Sequence, residues 1–369
     1  MKRSIAIFSG KFNPGHISLI WAFNQAFNDL GFETIEILPK EYDCFFSDNQ
    51  KKSMNIRFYG GHSDKFMGLT VDYLMLVHTS VEDKLIFKCL KRTNNNLKML
   101  FCLHEVFGGF RELFQDYCNK NESAKSTIRL AGAAQWAKWD IKHCSKVLLF
   151  SRIAEATFKN RYPTYAEKAY VIPLPFVKEK VPNENSIEKK YFSYIGSTTP
   201  AHGFKEYIDT ISRISSDKDI LFLIATKDHL SDECMTKIQP LIDNRKLSLF
   251  CGRSMTSDEI NTHYCSSKCI WLYYRRSTQS GVLPKAMMFG VPVISSKAGS
   301  FPEFVIDGYN GFLIEKLDAK SVSWAYHYID NNFTVMHDNC LAIFEKYFNY
   351  QTILPSISVL IDDISFKTV

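Results

Sequence analysis

Residues Ser277 to Gly311 read STQSGVLPKAMMFGVPVISSKAGSFPEFVIDGYNG and are the most informative segment of the chain. The pattern predicts a loop over Ser277–Gly281, a short helix over Val282–Phe289, a turn at Gly290-Val291-Pro292 and then a buried strand. A serine- and glycine-containing loop that begins a helix leaves backbone N–H groups unpaired at the positive end of the helix dipole. The segment therefore predicts an anion site, although many helix starts in α/β proteins bind nothing.

Short apolar runs alternate with longer amphipathic runs on both sides of this segment. Strands are expected at Ser4–Ser9 and Tyr191–Ile195, and helices follow them at Ile17–Leu30 and Lys205–Ile214. This alternation predicts parallel sheets with helices on both faces. The polar stretch Lys178–Lys190 interrupts the pattern, which then begins again, so we predict two Rossmann-like domains that face each other across a cleft.

Composition excludes several other classes of protein. Of 369 residues, 46% are hydrophobic and 23% are charged, as in ordinary globular proteins. The net charge of +6 is too small to indicate a nucleic-acid partner. The ten cysteines form no CxxC pair, which predicts reduced thiols and no metal site. No apolar run is long enough to span a bilayer, so we predict a cytoplasmic protein.

Part of this segment resembles the donor-binding signature of family 4 retaining glycosyltransferases, also called glycosyl transferases group 1. The resemblance lies in Ala286–Ile294 and in the two stretches that follow it, Gly299–Glu303 and Asp307–Gly311. The resemblance implies the GT-B fold, with an acceptor-binding domain over 1–177, a linker over 178–190, a nucleotide-sugar domain over 191–350 and a C-terminal crossover helix over 351–369 that returns to the first domain. The residues from Thr334 to Ile364 are expected to be helical, with a break at Pro355.

Two positions depart from the family signature. Ser277 and Lys285 stand where the family has paired acids, and a charged Lys285 accepts no hydrogen bond, so we expect it to pair with phosphate instead. The loop Gln279-Ser280-Gly281-Val282 resembles a branch of the family with a Gln-Ser-Gly loop, whose backbone N–H groups we expect to cap the diphosphate. Glu303 is also expected to bind the donor.

The loop after the strand Tyr191–Ile195 lacks the cations that the resemblance implies. Gly196 and Ser197 occupy the place of a Gly-Arg pair, and His202 occupies the place of a lysine. The donor phosphates then need charge from Arg275, its neighbour Arg276, or Lys285, unless the two arginines belong to a solvated loop. Arg253 is expected beside the nucleotide base.

His104 and Glu105 end a predicted buried strand in the first domain. A single histidine is more often structural than functional. The resemblance nevertheless implies that His104 is catalytic and hydrogen-bonds the donor sugar or the leaving phosphate. Glu105 is interpreted either as an acceptor-binding carboxylate or as the start of a helix.

The first loop, from Gly10 to His16, has two interpretations. In a GT-B acceptor domain, Gly15 and His16 would bind the acceptor. The loop is also similar to the nucleotidyltransferase signature Gly-x-Phe-x-Pro-x-His-x-Gly-His, but Ser18 and Leu19 do not match its closing Gly-His.

The resemblance implies a metal-independent hexosyltransferase that needs no cofactor and takes a UDP- or GDP-linked nucleotide sugar as its donor. The acceptor is expected to be a glycan or lipid-linked glycan of surface polysaccharide biosynthesis. The alternative from another class is a catalytically weak or inactive protein that only binds sugar nucleotides. The basic and aromatic stretch Phe45–Lys65 is either a peripheral contact with the inner face of the membrane or a solvated loop.

Overall fold

The structure is a computed structural model that describes residues 2–59, 66, 68–106, 113–114, 118, 124–181, 187–217 and 219–366. The chain folds into two compact units. The first unit comprises Met1–Val177 and Tyr347–Val369, and the second comprises Lys178–Lys346. The second unit thus begins within the predicted linker, and the return to the first unit starts a few residues before the predicted crossover helix.

The first unit contains a seven-stranded sheet in which each strand pair is parallel. The strand order is β3-β2-β1-β4-β5-β6-β7. The strands are β1 (Ser4–Phe8), β2 (Glu33–Pro39), β3 (Ile56–Tyr59), β4 (Tyr73–Leu76), β5 (Lys98–Cys102), β6 (Lys146–Leu149) and β7 (Ala169–Val171). The order reverses between β1 and β4, and ligands of open parallel sheets bind beside such a switch point, at the carboxyl ends of the strands.

The helices of the first unit connect these strands. Those before β7 are α1 (Ile17–Asp29), α2 (Asp48–Ser53), α3 (Asp83–Thr93), α4 (Ala124–His143) and α5 (Arg152–Arg161). Helix α1 buries Ile20, Phe23 and Phe27, which recur at helical spacing. It ends where Gly31 adopts a φ of +82°, a conformation that favours glycine.

The second unit contains a six-stranded parallel sheet in the order β10-β9-β8-β11-β12-β13. Its strands are β8 (Tyr191–Ile195), β9 (Leu221–Ala225), β10 (Leu247–Phe250), β11 (Ser267–Leu272), β12 (Val293–Ser295) and β13 (Gly311–Leu313). Its helices are α6 (Phe204–Ile214), α7 (Asp232–Asp243), α8 (Ser257–Ser266), α9 (Val282–Met288), α10 (Phe301–Phe304), α11 (Ala319–Asn331) and α12 (Phe333–Ile343). The two parallel-sheet α/β units confirm the predicted fold class.

The C-terminal helix α13 (Tyr350–Phe366) belongs to the first unit, and the predicted break at Pro355 is wrong. The helix continues through Pro355 because its apolar face is buried, with Ile357 and Leu360 fully enclosed. This burial offsets the hydrogen bond that a proline nitrogen cannot donate. The interruption lies earlier, in the π-helical turn Phe344–Phe348.

The stretch Phe45–Lys65 was predicted as a membrane contact or a solvated loop. The structure describes it up to Tyr59, and residues 60–65 lie outside the described part. Ser47 and Gln50 form a capping box at the start of α2, and Lys51 pairs with Asp43 at 2.8 Å. In the ranges that the structure describes, we find no helix with the length and apolarity to cross a membrane.

Candidate functional site

The predicted donor residues follow two neighbouring strands of the second unit. Strands β8 and β11 pair in parallel, so their carboxyl ends meet at the same edge of the sheet. Gly196 follows β8 with a φ of +145°, and a Cβ placed on it would lie 3.9 Å from Cγ2 of Val282. The structure therefore brings the loop after β8 within van der Waals distance of the start of α9.

The side chain of Ser280 closes the Ser280–Val282 turn. Oγ of Ser280 accepts a hydrogen bond from the Val282 N–H at 3.2 Å and donates to the Tyr274 hydroxyl at 3.5 Å. One of the amides predicted to cap a diphosphate is therefore engaged with Ser280 in this structure. Gln279 is half-buried, and its carbonyl oxygen accepts a bond of 2.6 Å from the Ser277 hydroxyl.

Asp228 organises the loop after β8. Its Oδ2 accepts hydrogen bonds from the Ser197 hydroxyl at 2.9 Å, the Thr198 N–H at 2.7 Å and the Thr198 hydroxyl at 3.1 Å. Partial burial opposes ionisation of the carboxyl, but these bonds outweigh it and hold the pKa of Asp228 below its usual value. Sequence reasoning missed Asp228, although an acid shortly after strand β9 faces the edge where ligands bind.

The loops after β8 and β11 are also joined by His202 and Arg275. The His202 ring stacks on Tyr274, with ring centroids 4.5 Å apart, and its Nδ1 lies 3.3 Å from the Ser197 carbonyl oxygen. The backbone N–H of Arg275 donates to the Ala201 carbonyl at 2.9 Å, and its Nε donates to Glu206 at 2.6 Å. Arg275 thus lies at the predicted edge with its charge partly balanced by Glu206.

Lys285 does not fit the predicted phosphate role. It is buried, its Nζ donates to Oδ1 of Asn261 at 2.6 Å, and it lies 3.3 Å from Oε1 of Glu179. Nδ2 of Asn261 donates to the other oxygen of Glu179 at 2.7 Å. The Lys285 charge balances a buried carboxylate of its own unit, because neither charge is stable there alone.

Arg253 lies after the edge strand β10, two strands away from β8. It is exposed and its guanidinium binds both oxygens of Glu259, at 3.0 and 2.5 Å. Arg253 holds the pKa of Glu259 down to about 2, together with the N–H of Thr256. This fork supports the capping box of α8, and it gives Arg253 a local structural partner. Glu303 is half-buried in the short helix α10, where its N–H donates to Ser300.

Three histidines meet at the carboxyl edge of the first sheet. The rings of His16 and His104 are stacked, with centroids 4.5 Å apart and planes inclined by 11°, and His78 lies 5.0 Å from His16. Sequence reasoning predicted His16 and His104 as separate site residues, but not that they stack or that His78 joins them. Gly15 donates its N–H to the Asn13 side chain at 3.0 Å, and the half-buried Glu105 follows His104 in the chain.

The hydrogen bonds of the stacked pair define their tautomers. Nε2 of His104 lies 2.7 Å from the Val77 carbonyl oxygen and must carry the proton, so Nδ1 is the acceptor of that ring. Nδ2 of Asn13 donates to Nε2 of His16 at 3.1 Å, which places the His16 proton on Nδ1. This Nδ1 is buried and has no hydrogen-bond partner among the described residues.

Both rings are neutral at physiological pH. Burial lowers the pKa of His104 to about 4. Burial, reinforced by His104 and His78, also holds the pKa of His16 well below its usual value. The pair therefore carries no net charge, which suits a hydroxyl better than a phosphate. Among the described residues, no group of three or more His, Cys, Asp or Glu side chains is arranged to hold a metal ion.

The first prediction tests the close approach of the Ser277 loop to Gly299. A Cβ on Gly299 would lie 1.6 Å from the Ser277 carbonyl oxygen, whereas a Cβ on Gly308 meets its nearest atom at 3.7 Å. Both glycines have positive φ, at +56° and +73°. We expect Gly299→Ala to lower the free energy of unfolding by about 3 kcal/mol or more and Gly308→Ala by about 1 kcal/mol, as measured by urea unfolding. Equal losses would contradict the backbone contact.

The second prediction tests the buried ion pair. Lys285→Met leaves the Glu179 carboxylate buried without its cation, so we expect the free energy of unfolding to fall by about 3–5 kcal/mol. The matched double variant, Glu179→Gln with Lys285→Met, removes both charges and should regain most of that loss. A stable Lys285→Met protein that binds UDP weakly would instead support the phosphate role.

The comparisons with known proteins agree with this geometry. The family model described as glycosyl transferases group 1 matches residues 189–329, which include the whole Ser277–Gly311 segment. An uncharacterized 41.2 kDa protein in the cps region of Klebsiella pneumoniae is 23% identical over 142 residues. That match spans 38% of this chain and 37% of the relative, little more than a third of its length.

Solved structures resemble the chain over nearly all of its length. HepE from Anabaena, solved in complex with UDP, covers 98% of this chain and 100% of its own, with 14% identity and a TM-score of 0.68. A second structure of HepE holds UDP-glucose. Sucrose-phosphate synthase from Thermosynechococcus elongatus covers 100% of both chains, with 14% identity and a TM-score of 0.68.

The resemblance that the Ser277–Gly311 segment shows is therefore confirmed. Residues 189–329 match the model of the glycosyl transferases group 1 family, and the chain that carries them has the GT-B fold of glycosyltransferases.

Proposed function

We propose that the protein is a retaining glycosyltransferase that moves a sugar from a nucleotide sugar to a hydroxyl of a glycan or lipid-linked glycan. The observation that carries this proposal is the meeting of the Gly196–Ser197 and Ser280–Val282 turns at one sheet edge, within the region that matches the group 1 family. Backbone N–H groups at such an edge stabilise the negative charge that develops on a leaving diphosphate.

Arg275 is the cation that we assign to the donor phosphates. It lies on the loop after β11, next to the turn before α9, and Glu206 holds its guanidinium in place. An arginine fork suits phosphate oxygens as well as carboxylates, so the donor can take over part of its hydrogen bonding. Lys285 has no part in this proposal because Glu179 already balances its charge.

The stacked histidines supply the sugar-binding part of the proposal. Both rings are neutral, and a neutral imidazole can hydrogen-bond a sugar hydroxyl without burying a charge. The buried Nδ1–H of His16 has no partner among the described residues, and a buried donor left unpaired costs free energy. We therefore assign His104 to the transferred sugar and His16, with Gly15 and Glu105, to the acceptor.

UDP is the first nucleotide to test, because HepE has been solved with UDP and with UDP-glucose. A role in surface polysaccharide biosynthesis is supported by the matched Klebsiella pneumoniae protein, which lies in a cps region. We place the reaction in the cytoplasm and propose that it needs no metal ion. Peripheral contact with a membrane through the Phe45–Lys65 stretch stays a prediction.

The second candidate function is sugar-nucleotide binding without transfer. It is favoured by the same loops, since Ser197 and His202 replace the cations that the resemblance implies and Lys285 is committed to Glu179. A leaving diphosphate would then be stabilised by fewer positive charges, which slows transfer more than it weakens donor binding.

The third prediction separates these two functions. UDP should raise the melting temperature of the full chain, since a ligand that binds the folded state stabilises it by mass action. With a panel of UDP- and GDP-sugars and glycan acceptors, we expect one donor to release its nucleotide only in the presence of an acceptor. Stabilisation by UDP with no turnover of any donor would favour the binding protein. If UDP does not stabilise the protein and no donor is turned over, both functions are contradicted.

The fourth prediction concerns His104. We expect His104→Ala to lower kcat about 100-fold or more while the dissociation constant of UDP changes less than about threefold, because the ring contacts the sugar and not the phosphates. The control is His143→Ala, which removes an exposed histidine that bonds only its own helix at Trp139. Equal kcat values in the two variants would remove His104 from the reaction.

A further inference from the structure

Two carboxyl groups are fully buried close to the histidines. Asp83 is the first residue of α3 and Asp140 lies in the last turn of α4, and their exposed fractions are 0% and 1%. Neither belongs to the proposed donor or acceptor contacts. The two carboxyls are hydrogen-bonding partners of each other. A buried ionised carboxyl is costly unless it is paired or hydrogen-bonded.

Each carboxyl holds one residue of the loop after β4. Asp83 accepts bonds of 2.5 Å from both the N–H and the hydroxyl of Ser80, and Asp140 accepts a bond of 2.6 Å from the Thr79 hydroxyl. The second oxygen of Asp140, Oδ1, is buried and receives no donor from the described residues. A proton on the pair would satisfy this oxygen and remove the repulsion between two carboxylates.

The same loop holds the histidines. Val77 accepts the hydrogen bond from Nε2 of His104, and His78 places its two ring nitrogens 2.8 Å from the Thr79 carbonyl oxygen and 3.0 Å from that of Lys11. Four consecutive residues, Val77 to Ser80, thus run from the histidine rings to the buried carboxyls. The loop also packs against the first loop, because a Cβ on Gly10 would lie 2.0 Å from Oγ of Ser80.

We propose that Asp83 and Asp140 share one proton and act as a positioning pair for the histidines. Loss of that proton separates the two carboxylates, moves Thr79 and Ser80, shifts His78 and displaces His104 from the sugar. The pair thereby sets an upper pH limit for the sugar-binding arrangement. The functional consequence rests on the proposed role of His104, but the titration of the pair does not.

Other titratable groups lie around the pair, and they include His78 on the same loop and His143 in the last turn of α4. Burial raises the pKa of Tyr59 above its usual value, and it raises that of Cys144 to about 12. Lys168, which lies near Cys144, donates to three carbonyl oxygens at the end of α4, and Glu82 is a half-buried carboxylate at the turn before α3. Burial raises the pKa of both carboxyls of the pair, to about 7 for Asp140 and well above the usual value for Asp83.

The sign of the pH dependence follows from this raised pKa. The folded pair binds its proton more tightly than the unfolded chain, in which the carboxyl titrates near its usual value of 3.8. The stabilisation is therefore complete at low pH and falls as the pH rises. The contribution of Asp140 is absent above about pH 7, whereas that of Asp83, whose pKa burial also raises, continues to fall.

The fifth prediction uses Asp140→Asn in the full chain. The amide mimics the protonated carboxyl, and its NH2 group can donate to Asp83 while its oxygen still accepts from Thr79. Urea unfolding of the wild type from pH 5 to pH 9 should show a loss of stability with rising pH. Asp140→Asn should reduce this loss, because the charge of Asp140 is removed, and the control Asp362→Asn, at an exposed position of the same unit, should keep it in full.

The histidine rings provide the readout for positioning. In the wild type, the ring C–H NMR signals of His16 and His104 should shift together near pH 7, far from their own pKa values, and in Asp140→Asn they should not shift. The KM for a donor sugar found in the panel should rise about fivefold or more from pH 6.5 to pH 9 in the wild type only. An unchanged titration in Asp140→Asn overturns the shared proton.

A second variant covers the case in which Asp140→Asn fails to fold. Thr79→Val removes the hydroxyl that joins Asp140 to the loop but keeps both carboxyls. We expect it to retain the loss of stability with pH while the His16 and His104 signals no longer follow it. If these signals still shift as in the wild type, the loop does not connect the pair to the histidines and the proposal is wrong.

Discussion

The site of the second unit depends on the backbone approaching itself where no side chain fits. Gly203 and Gly299 adopt positive φ, and a Cβ on them would lie 1.9 Å from the Tyr273 carbonyl oxygen and 1.6 Å from that of Ser277. Because the side chains are absent, the loops after β8, β11 and β12 close against each other at one sheet edge. This close approach of the loops is what allows Ser197, Arg275 and the Ser280–Val282 turn to lie near one another.

Local patterns in the sequence were sufficient to predict the fold. The alternation of apolar and amphipathic runs predicted both parallel sheets, and the Gly-Val-Pro turn after α9 predicted the family of the second unit. Such features depend on neighbours within a few residues, which a sequence displays directly. The break expected at Pro355 failed because burial of the apolar face of α13, which a proline rule does not include, outweighs one lost hydrogen bond.

The chemistry of the site was less predictable because it depends on distant partners. Lys285 was interpreted as a phosphate ligand since its sequence neighbours belong to the donor signature, but Glu179, far away in the chain, balances its charge. His16 and His104 were each identified from their own loops. Their stacking follows from the order of β1, β4 and β5 in the sheet, which brings the loops after these strands to one edge.

The central claim is that the two turns at the edge of the second sheet bind the nucleotide diphosphate. Hydrogen exchange of the full chain with and without UDP, followed by mass spectrometry, tests it most directly. The account predicts slower exchange in peptides that contain Gly196–Gly203 and Thr278–Val282, and little change around Arg253. Slower exchange elsewhere in the second unit, with these two segments unaffected, would contradict it.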